Sequence, residues 1–383
     1  MGIPQDLVWA ILQEVDDHRS LKMSVAGIPF REPAQRMLLN SLNLGIAKEG
    51  GGRPYTDAMN LLQESPHIAS YFTRLYCLLP EANATDAEVH ALCTVLYNLS
   101  NVRHCSLRGA TDLPTSWTEF SPSLCLAIAE FIGRQRLAEL EIHSIGTLPD
   151  AVLALCFGAA PTLSLINTSA DMTAPPMKSP ASSPIVQNLL VLSSPGVVDV
   201  LTSPNFGPQM TNIRKLWWDP DVDTGGRLIS MLAPNLEHIR VQYKHQSTTA
   251  KILSLPPMQL LESAEVTLEY EWMLPFHARL ESILTAAPDS LREICITFTP
   301  KLRFLHQTAL ARMDDFLTDG GAPLIRWRLD VEDNIESSFI DFVVSALEQG
   351  MPRLHAQGKL LVERRSISDR VSVTGLLRGD CLE

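Results

Sequence analysis

The segment APNLEHIRVQY, residues 233–243, shows the pattern that recurs through most of this 383-residue chain. An Ala-Pro pair and a leucine precede a run in which apolar Ile239 and Val241 alternate with polar neighbours such as Arg240. Alternation with a period of two predicts a β-strand that has one buried face and one face in solvent. Three further segments repeat the pattern: APTLSLIN from Ala160, APDSLREICITF from Ala287 and APLIRWRLDVED from Ala322.

Eleven such strands are predicted, and their first central apolar residues are spaced 23 to 35 residues apart. These residues are Leu75, Cys105, Leu140, Leu163, Leu190, Leu216, Ile239, Val266, Ile294, Trp327 and Leu360. The intervening segments have helical periodicity; residues 85–99, for example, carry apolar side chains every three or four positions behind Thr85, a candidate N-cap. One strand and one returning helix per unit, at a period that straddles and slightly exceeds about 20–29 residues, is typical of leucine-rich repeats. We therefore expect an α/β fold, an irregular leucine-rich-repeat-like solenoid with a ribbon of parallel strands.

The polar strand positions are expected to line one concave ribbon, because parallel strands stack equivalent positions side by side. Such a ribbon suits recognition of another protein, since many side chains contribute over a large area. The candidate target-binding residues are Glu141, Trp217, Arg240, Glu269 and Arg328. Trp217 is a candidate hot spot if Trp218, and not Trp217, faces the core. The simpler interpretation is that any one-sided sheet needs a polar outer face for solubility.

The composition is that of an acidic globular protein, with a net charge of −12, a pI near 5.3 and 45% hydrophobic residues. This charge argues against nucleic acid as the main partner. No apolar run approaches the roughly 20 residues that a membrane helix needs, and the acidic N-terminus is unlike a secretory signal. The seven cysteines are scattered and form no CxxC motif, which is typical of a reducing compartment. We expect a cytoplasmic or nuclear protein with no membrane partner.

The motifs of common enzymes are missing from the sequence: it has no P-loop, no GxSxG elbow and no HExxH. His104 and Cys105 are adjacent on a predicted strand and so point to opposite faces. Glu139, Glu141 and His143 do share a face, but charged residues are ordinary on an exposed sheet face. We expect a protein that is not an enzyme and that needs no cofactor and no metal.

We divide the chain into a helical module over residues 1–46, a linker with a short helix over 47–71, repeats over 72–365 and a tail over 366–383. A proline-rich loop over residues 167–187 is expected to interrupt the repeats. The helical module predicts three short helices, with sequences IPQDLVWAILQEV, DHRSLKMSVAGI and EPAQRMLLNSL. Helices of this size cannot bury all their apolar side chains among themselves, so some should meet the repeats or a partner.

The start of this module resembles an F-box. The string Ile3-Pro4-x-Asp6-Leu7-Val8-x-x-Ile11-Leu12-x-x-Val15, followed by Leu21-Lys22-Met23-Ser24-Val25, is similar to the form common in mushroom-type fungi, where a leucine-rich-repeat-like region follows. The resemblance implies a substrate-recognition adaptor of an SCF-type cullin–RING ubiquitin ligase, whose F-box helices bind the Skp linker while the repeats hold a target protein. The residues that it assigns to the linker are Ile3, Pro4, Leu7, Ile11, Leu12, Leu21 and Val25.

Among these residues, Leu7 and Ile11 are the best candidates for direct contact with the linker. Leu12 and Val25 have a strong alternative role in packing within the module. A second interpretation of the whole chain is a repeat-based interaction scaffold unconnected to ubiquitin, in which residues 3–45 only cap the open end of the solenoid.

Overall fold

The computed structural model describes most of the chain in several stretches. These are residues 28–45, 54–81, 83–111, 113–171, 184–219, 226–243, 255–268, 290–298, 307–319, 324–331 and 337–366, together with 8, 11, 12, 283, 285 and 286. The chain divides into two compact units, Met1–Leu190 with Ser194–Asn212 and Val191–Ser193 with Ile213–Glu383. Both units are α/β and are built on parallel strands.

In the first unit, five strands pair in parallel and in chain order. They are β1 (Ser41–Leu44), β2 (Arg74–Leu78), β3 (His104–Arg108), β5 (Glu139–His143) and β8 (Thr162–Ile166). Four two-residue strands form two small parallel pairs, β4 (Thr115–Ser116) with β6 (Ile145–Gly146) and β7 (Leu148–Pro149) with β9 (Ala170–Asp171). Strand β10 (Asn188–Leu192) follows in the chain.

In the second unit, six strands again pair in parallel with their neighbours in the sequence. They are β11 (Lys215–Trp218), β12 (His238–Tyr243), β13 (Ser263–Leu268), β14 (Glu293–Phe298), β15 (Leu324–Val331) and β16 (Leu360–Ser366). All eleven predicted strand anchors lie in observed strands, which confirms the predicted positions of the strands.

Helices occupy many of the connections between strands. In the first unit they are α1 (Ile28–Leu38), α2 (Tyr55–Glu64), α3 (Asp86–Asn98), α4 (Pro122–Arg134), α5 (Asp150–Ala159), α6 (Pro195–Leu201) and α7 (Gly207–Met210). In the second unit they are α8 (Arg227–Leu232), α9 (Gln307–Asp319), α10 (Ser337–Gly350) and α11 (Pro352–Ala356). Short 3-10 helices span Pro66–Ser70, Trp117–Glu119, Pro204–Phe206 and Ala233–Asn235.

Helix α3 begins where the sequence predicts, because Thr85 and Glu88 form a capping box. The Thr85 hydroxyl accepts the backbone N–H of Glu88 at 3.3 Å, and the Glu88 carboxylate accepts the backbone N–H of Thr85 at 2.9 Å. These bonds satisfy two N–H groups that the first helical turn leaves without partners. The predicted N-cap is therefore confirmed.

The cores consist of the apolar strand positions together with the apolar faces of the helices. In the first unit, Leu75, Cys105, Leu140 and Leu163 lie side by side on successive strands, and all are buried. In the second unit, the buried row is Ile239, Ala264, Ile294 and Ile325. Because a register shift of one residue would expose such a row, burial fixes the phase of every strand.

The described cysteines all have free thiols, and five of these six side chains are buried. Burial raises the pKa of Cys156 to about 12, so this thiol stays protonated at neutral pH. The side chains pack as small apolar groups, as their place in the sequence pattern predicts.

Two predicted boundaries are wrong. Helix α1 begins at Ile28 and ends at Leu38, earlier than the predicted third helix, and Ser41–Leu44 forms a strand that pairs with β2. The reason is that Leu42 and Leu44 alternate in burial, in register with Leu75 and Cys77. The predicted loop 167–187 also begins too early, since Ala170–Asp171 pairs with β7; residues 172–183 lie outside the described part of the chain.

A recurring turn that follows the strands was not predicted. Ser144, Asn167 and Ser193 come directly after β5, β8 and β10, and each has a positive φ near 50°. Buried hydroxyls satisfy the backbone here: Thr168 Oγ1 donates to the carbonyl of Ile142 at 3.2 Å, and Ser194 Oγ accepts the N–H of Thr168 at 2.9 Å. Such short polar residues tolerate the left-handed conformation better than β-branched ones do.

Gly109 occupies the equivalent position after β3, where the neighbouring backbone leaves no room for a side chain. A Cβ atom there would lie 2.2 Å from the carbonyl oxygen of Ser144, a backbone atom that cannot move alone. We expect Gly109→Ala to lower the free energy of unfolding by about 2–3 kcal/mol, as strong overpacking does. Chemical denaturation measures this change.

Gly207 provides the matched control, since an added Cβ meets nothing within 4 Å and the backbone is helical there, with φ −48°. Gly207→Ala should stay within about 1 kcal/mol of the wild type. Equal stability of the two variants would contradict the close approach of Gly109 to Ser144.

Candidate protein-binding face

The polar positions of the second unit's strands form two parallel rows. The first row runs through Trp217, Arg240, Glu265, Cys295 and Arg326, on β11 to β15. The second row runs through Gln242, Thr267, Thr297, Arg328 and Glu363, on β12 to β16. We call these two rows, together with the outward-facing Lys215 and Glu293 at the start of β11 and β14, the polar face of the second unit. Three of the predicted target-binding residues, Trp217, Arg240 and Arg328, lie on it, and Glu269 falls outside the described residues.

Trp217 lies on this face, half-buried, while Trp218 is in the core, which confirms the predicted facing of the doublet. The guanidinium carbon of Arg240 lies 3.7 Å from the centroid of the Trp217 ring, a cation–π contact. The indole N–H of Trp217 also donates to Gln242 Oε1 at 3.2 Å. One ring face and the N–H therefore have partners within the chain, and a ligand can reach only the remaining ring surface.

Charged side chains on this face interact in a continuous series, which we call the charge network: Arg240, Glu265, Glu293, Arg326, Arg328 and Glu363. The longer contacts are Arg240 to Glu265 at 3.4 Å, Arg328 to Glu265 at 3.7 Å and Arg328 to Glu363 at 3.8 Å. Arg326 donates hydrogen bonds to Glu293 Oε1 at 2.6 Å and to Glu363 Oε1. Thr297 Oγ1 donates to Glu265 Oε1 at 3.0 Å.

The members of the charge network are only 22–34% exposed, so they are partly desolvated. Hydrogen bonding to Glu293, followed by the charges of Glu293 and Glu363, keeps the pKa of Arg326 above its usual value despite burial. Exposed ion pairs contribute little to stability, but a connected and partly buried set restricts the rotamers of all its members. The network therefore holds its charges at fixed positions on the face.

The first unit has a polar face of its own, which carries Glu141, the remaining predicted target-binding residue. Ser106 Oγ donates to Glu141 Oε1 at 3.1 Å, and His104 Nδ1 lies 3.4 Å from the neighbouring Glu139 Oε2. Burial raises the pKa of Glu141 and the charge of Glu139 adds to the effect, while Ser106 and Arg108 oppose it. The folded protein therefore disfavours the ionised form of Glu141.

The N-terminal residues assigned to a linker are described in part. Leu12 is only 1% exposed and belongs to an apolar cluster with Val8 and Ala34, whereas Ile11 is 45% exposed. The other assigned residues, Ile3, Pro4, Leu7, Leu21 and Val25, lie outside the described part of the chain. Ile11 thus presents an apolar side chain to solvent beside a helix position that is fully buried.

Sequence reasoning did not select Glu265, Arg326 and Glu363 as site residues, although all three join the charge network. Alternation marked Glu265 and Arg326 only as outward-facing, and it assigned no facing to Glu363. The missing information was the register between neighbouring strands, which brings each arginine beside a glutamate 25 to 37 positions away.

No protein-family model matches this chain, and no curated protein matches it either. Within the described residues, no helix combines the length and apolar character needed to cross a membrane. The same residues contain no group of three or more His, Cys, Asp or Glu side chains that could hold a metal ion.

Glu141 gives a test of the electrostatics on the first face. Because its folded-state pKa is raised, the protonated carboxyl stabilises the fold at low pH, and this contribution is lost as pH rises through the folded-state pKa. We expect Glu141→Gln, which removes the charge and still accepts from Ser106, to raise the thermal unfolding midpoint at pH 7.5 by about 1–3 °C. The gain should disappear near pH 4.

The exposed Glu81 serves as the control, and Glu81→Gln should leave the midpoint unchanged at both pH values. A Glu141→Gln variant that is less stable than the wild type at pH 7.5 would show that the Ser106 contact outweighs the cost of burial.

Proposed function

We propose that this chain is a substrate-recognition adaptor of an SCF-type cullin–RING ubiquitin ligase. Its N-terminal helices would bind the Skp linker, and the polar faces of its parallel strands would hold the target protein. The adaptor performs no covalent step; it raises the effective concentration of the target near the ligase.

The observation that carries this proposal is the exposure of Ile11 next to the buried Leu12 and Val8. A helix that used all its apolar side chains for its own module would bury Ile11 as well. An exposed isoleucine at the position that the F-box resemblance assigns to linker contact is what an unoccupied linker surface requires. The ordered charges of the polar face support the second half of the proposal, since fixed side chains lose little entropy on binding.

One observation favours the alternative, a repeat-based interaction scaffold unconnected to ubiquitin. Helix α1 leads directly into β1, which pairs with β2, and the Arg36 guanidinium lies 5.0 Å from the Tyr71 ring centroid. The segment that follows the F-box-like string is thus continuous with the sheet of the first unit, as an end cap would be. Capping and linker binding use different surfaces, so a binding experiment distinguishes them.

The test is co-purification of the full chain with a Skp linker subunit. We expect the wild type to retain the linker and the double variant Leu7→Glu with Ile11→Glu to lose it, because charged side chains would have to be buried at the interface. Ile11→Glu alone should weaken retention without unfolding the chain, since its side chain is exposed in the free protein.

Leu126→Glu is the matched control: Leu126 is a helical leucine, 54% exposed, on α4 and far along the chain from the F-box-like string. This variant should retain the linker fully. Failure of the wild type to retain the linker, or equal retention by the double variant, would exclude the adaptor and leave the scaffold.

A further inference from the structure

Arg328 differs from its neighbour Arg326 in the hydrogen bonds that its guanidinium N–H groups donate. Its nearest carboxylate oxygens, on Glu265 and Glu363, lie 3.7 Å and 3.8 Å away, which is ion-pair distance but beyond a hydrogen bond. Arg326, in contrast, donates to both Glu293 and Glu363. Within the described part of the chain, Arg328 donates no hydrogen bond, although its side chain is only 25% exposed.

The two glutamates beside Arg328 are engaged elsewhere. Glu265 Oε1 accepts the hydroxyl of Thr297 at 3.0 Å, and Glu363 Oε1 accepts a hydrogen bond from Arg326. They position the guanidinium of Arg328 electrostatically without filling its five N–H donors. A planar guanidinium held in this way is matched by a carboxylate that accepts two parallel N–H bonds.

The charges that surround Arg328 also suit an anionic ligand. Among the described side chains of this face, the cations are Lys215, Arg240, Arg326 and Arg328, the carboxylates on the strands are Glu265, Glu293 and Glu363, and the carboxylate of Asp219 follows directly after β11. These described charges therefore balance one another, in a chain whose net charge is −12. This face attracts a negative segment more than the rest of the molecule does.

We propose that the polar face of the second unit binds an acidic segment of the target protein, with one carboxylate hydrogen-bonded to Arg328. This inference rests on the proposed function, in which the face holds the target. Trp217 and Arg328 are four strands apart, which is about 19 Å and equals the length of about six extended residues. A short acidic stretch can therefore reach from Arg328 to the uncovered surface of the Trp217 ring.

Fluorescence polarisation with labelled octapeptides of glutamate, of lysine and of alternating glycine and serine tests the proposal on the full chain. We expect the octaglutamate to bind tightest, although the net charge of the chain favours the octalysine. Arg328→Gln should weaken octaglutamate binding roughly tenfold or more. Arg328→Lys should weaken it less, because lysine keeps the positive charge but cannot donate two parallel N–H bonds to a carboxylate.

Arg292→Gln is the control, because Arg292 also faces a glutamate, Glu262 at 3.9 Å, but is 79% exposed and precedes β14. It should leave octaglutamate binding unchanged. Equal losses in the Arg292 and Arg328 variants, or octaglutamate binding no tighter than the glycine–serine peptide, would overturn the proposal. So would tighter, Arg328-dependent binding of a labelled oligothymidine, which would assign the face to nucleic acid.

The outcome is separable from that of the adaptor proposal. Linker retention depends on Leu7 and Ile11, so octaglutamate can fail to bind while the linker is still retained. In that case the adaptor stands and only the acidic target segment is lost.

Discussion

The structure depends on one constraint: successive strands pair in parallel with the same phase, so apolar positions meet apolar positions across each unit. The row Leu75, Cys105, Leu140 and Leu163 in the first unit shows the consequence, since each side chain is buried and lies beside another buried one in register. A single slipped strand would turn its whole apolar set into solvent. The connecting segments can differ in length because they do not change which strand residues pair with one another.

The same constraint places polar residues beside one another on the opposite face of the strands. In-register pairing does not by itself decide whether these neighbours carry like or opposite charges. In the second unit the sequence places opposite charges together: Arg240 lies beside Glu265 and Arg328 beside Glu363. Adjacent like charges on paired strands would be destabilising, whereas opposite charges stabilise the pairing modestly. A face that serves only solubility needs exposed polar atoms but no partly desolvated, connected set. The charge network therefore does more than keep the face soluble: it stabilises the pairing of the strands and fixes the positions of the charges.

A feature could be predicted from the sequence when it depends on residues close together in the chain, and not when it joins residues of different strands. Strand positions, the buried alternation, the facing of Trp217 and Trp218 and the Thr85 cap were all predictable, because each depends on residues a few positions apart. The charge network and the hydroxyl-lined turns at Ser144 and Asn167 were not, since they join residues of different strands and require the register. The end of the third predicted helix was wrong because Leu42 and Leu44 fit either a helical face or an alternating strand until β2 is present as a partner.

Glu141 and Arg328 show the same feature in the two units, each considered separately. Burial raises the pKa of Glu141, so its charge opposes folding at neutral pH, and Arg328 keeps its donors without hydrogen-bond partners among the described residues while mostly covered. A fold selected for stability alone would replace Glu141 by a neutral polar side chain at small cost, and would give Arg328 a hydrogen-bonded carboxylate of the kind that Arg326 has. Polar groups that the fold leaves incompletely satisfied are typical of sites where a ligand supplies the missing interaction. For Arg328 we propose an acidic ligand, because a carboxylate both accepts two hydrogen bonds from a guanidinium and balances its charge.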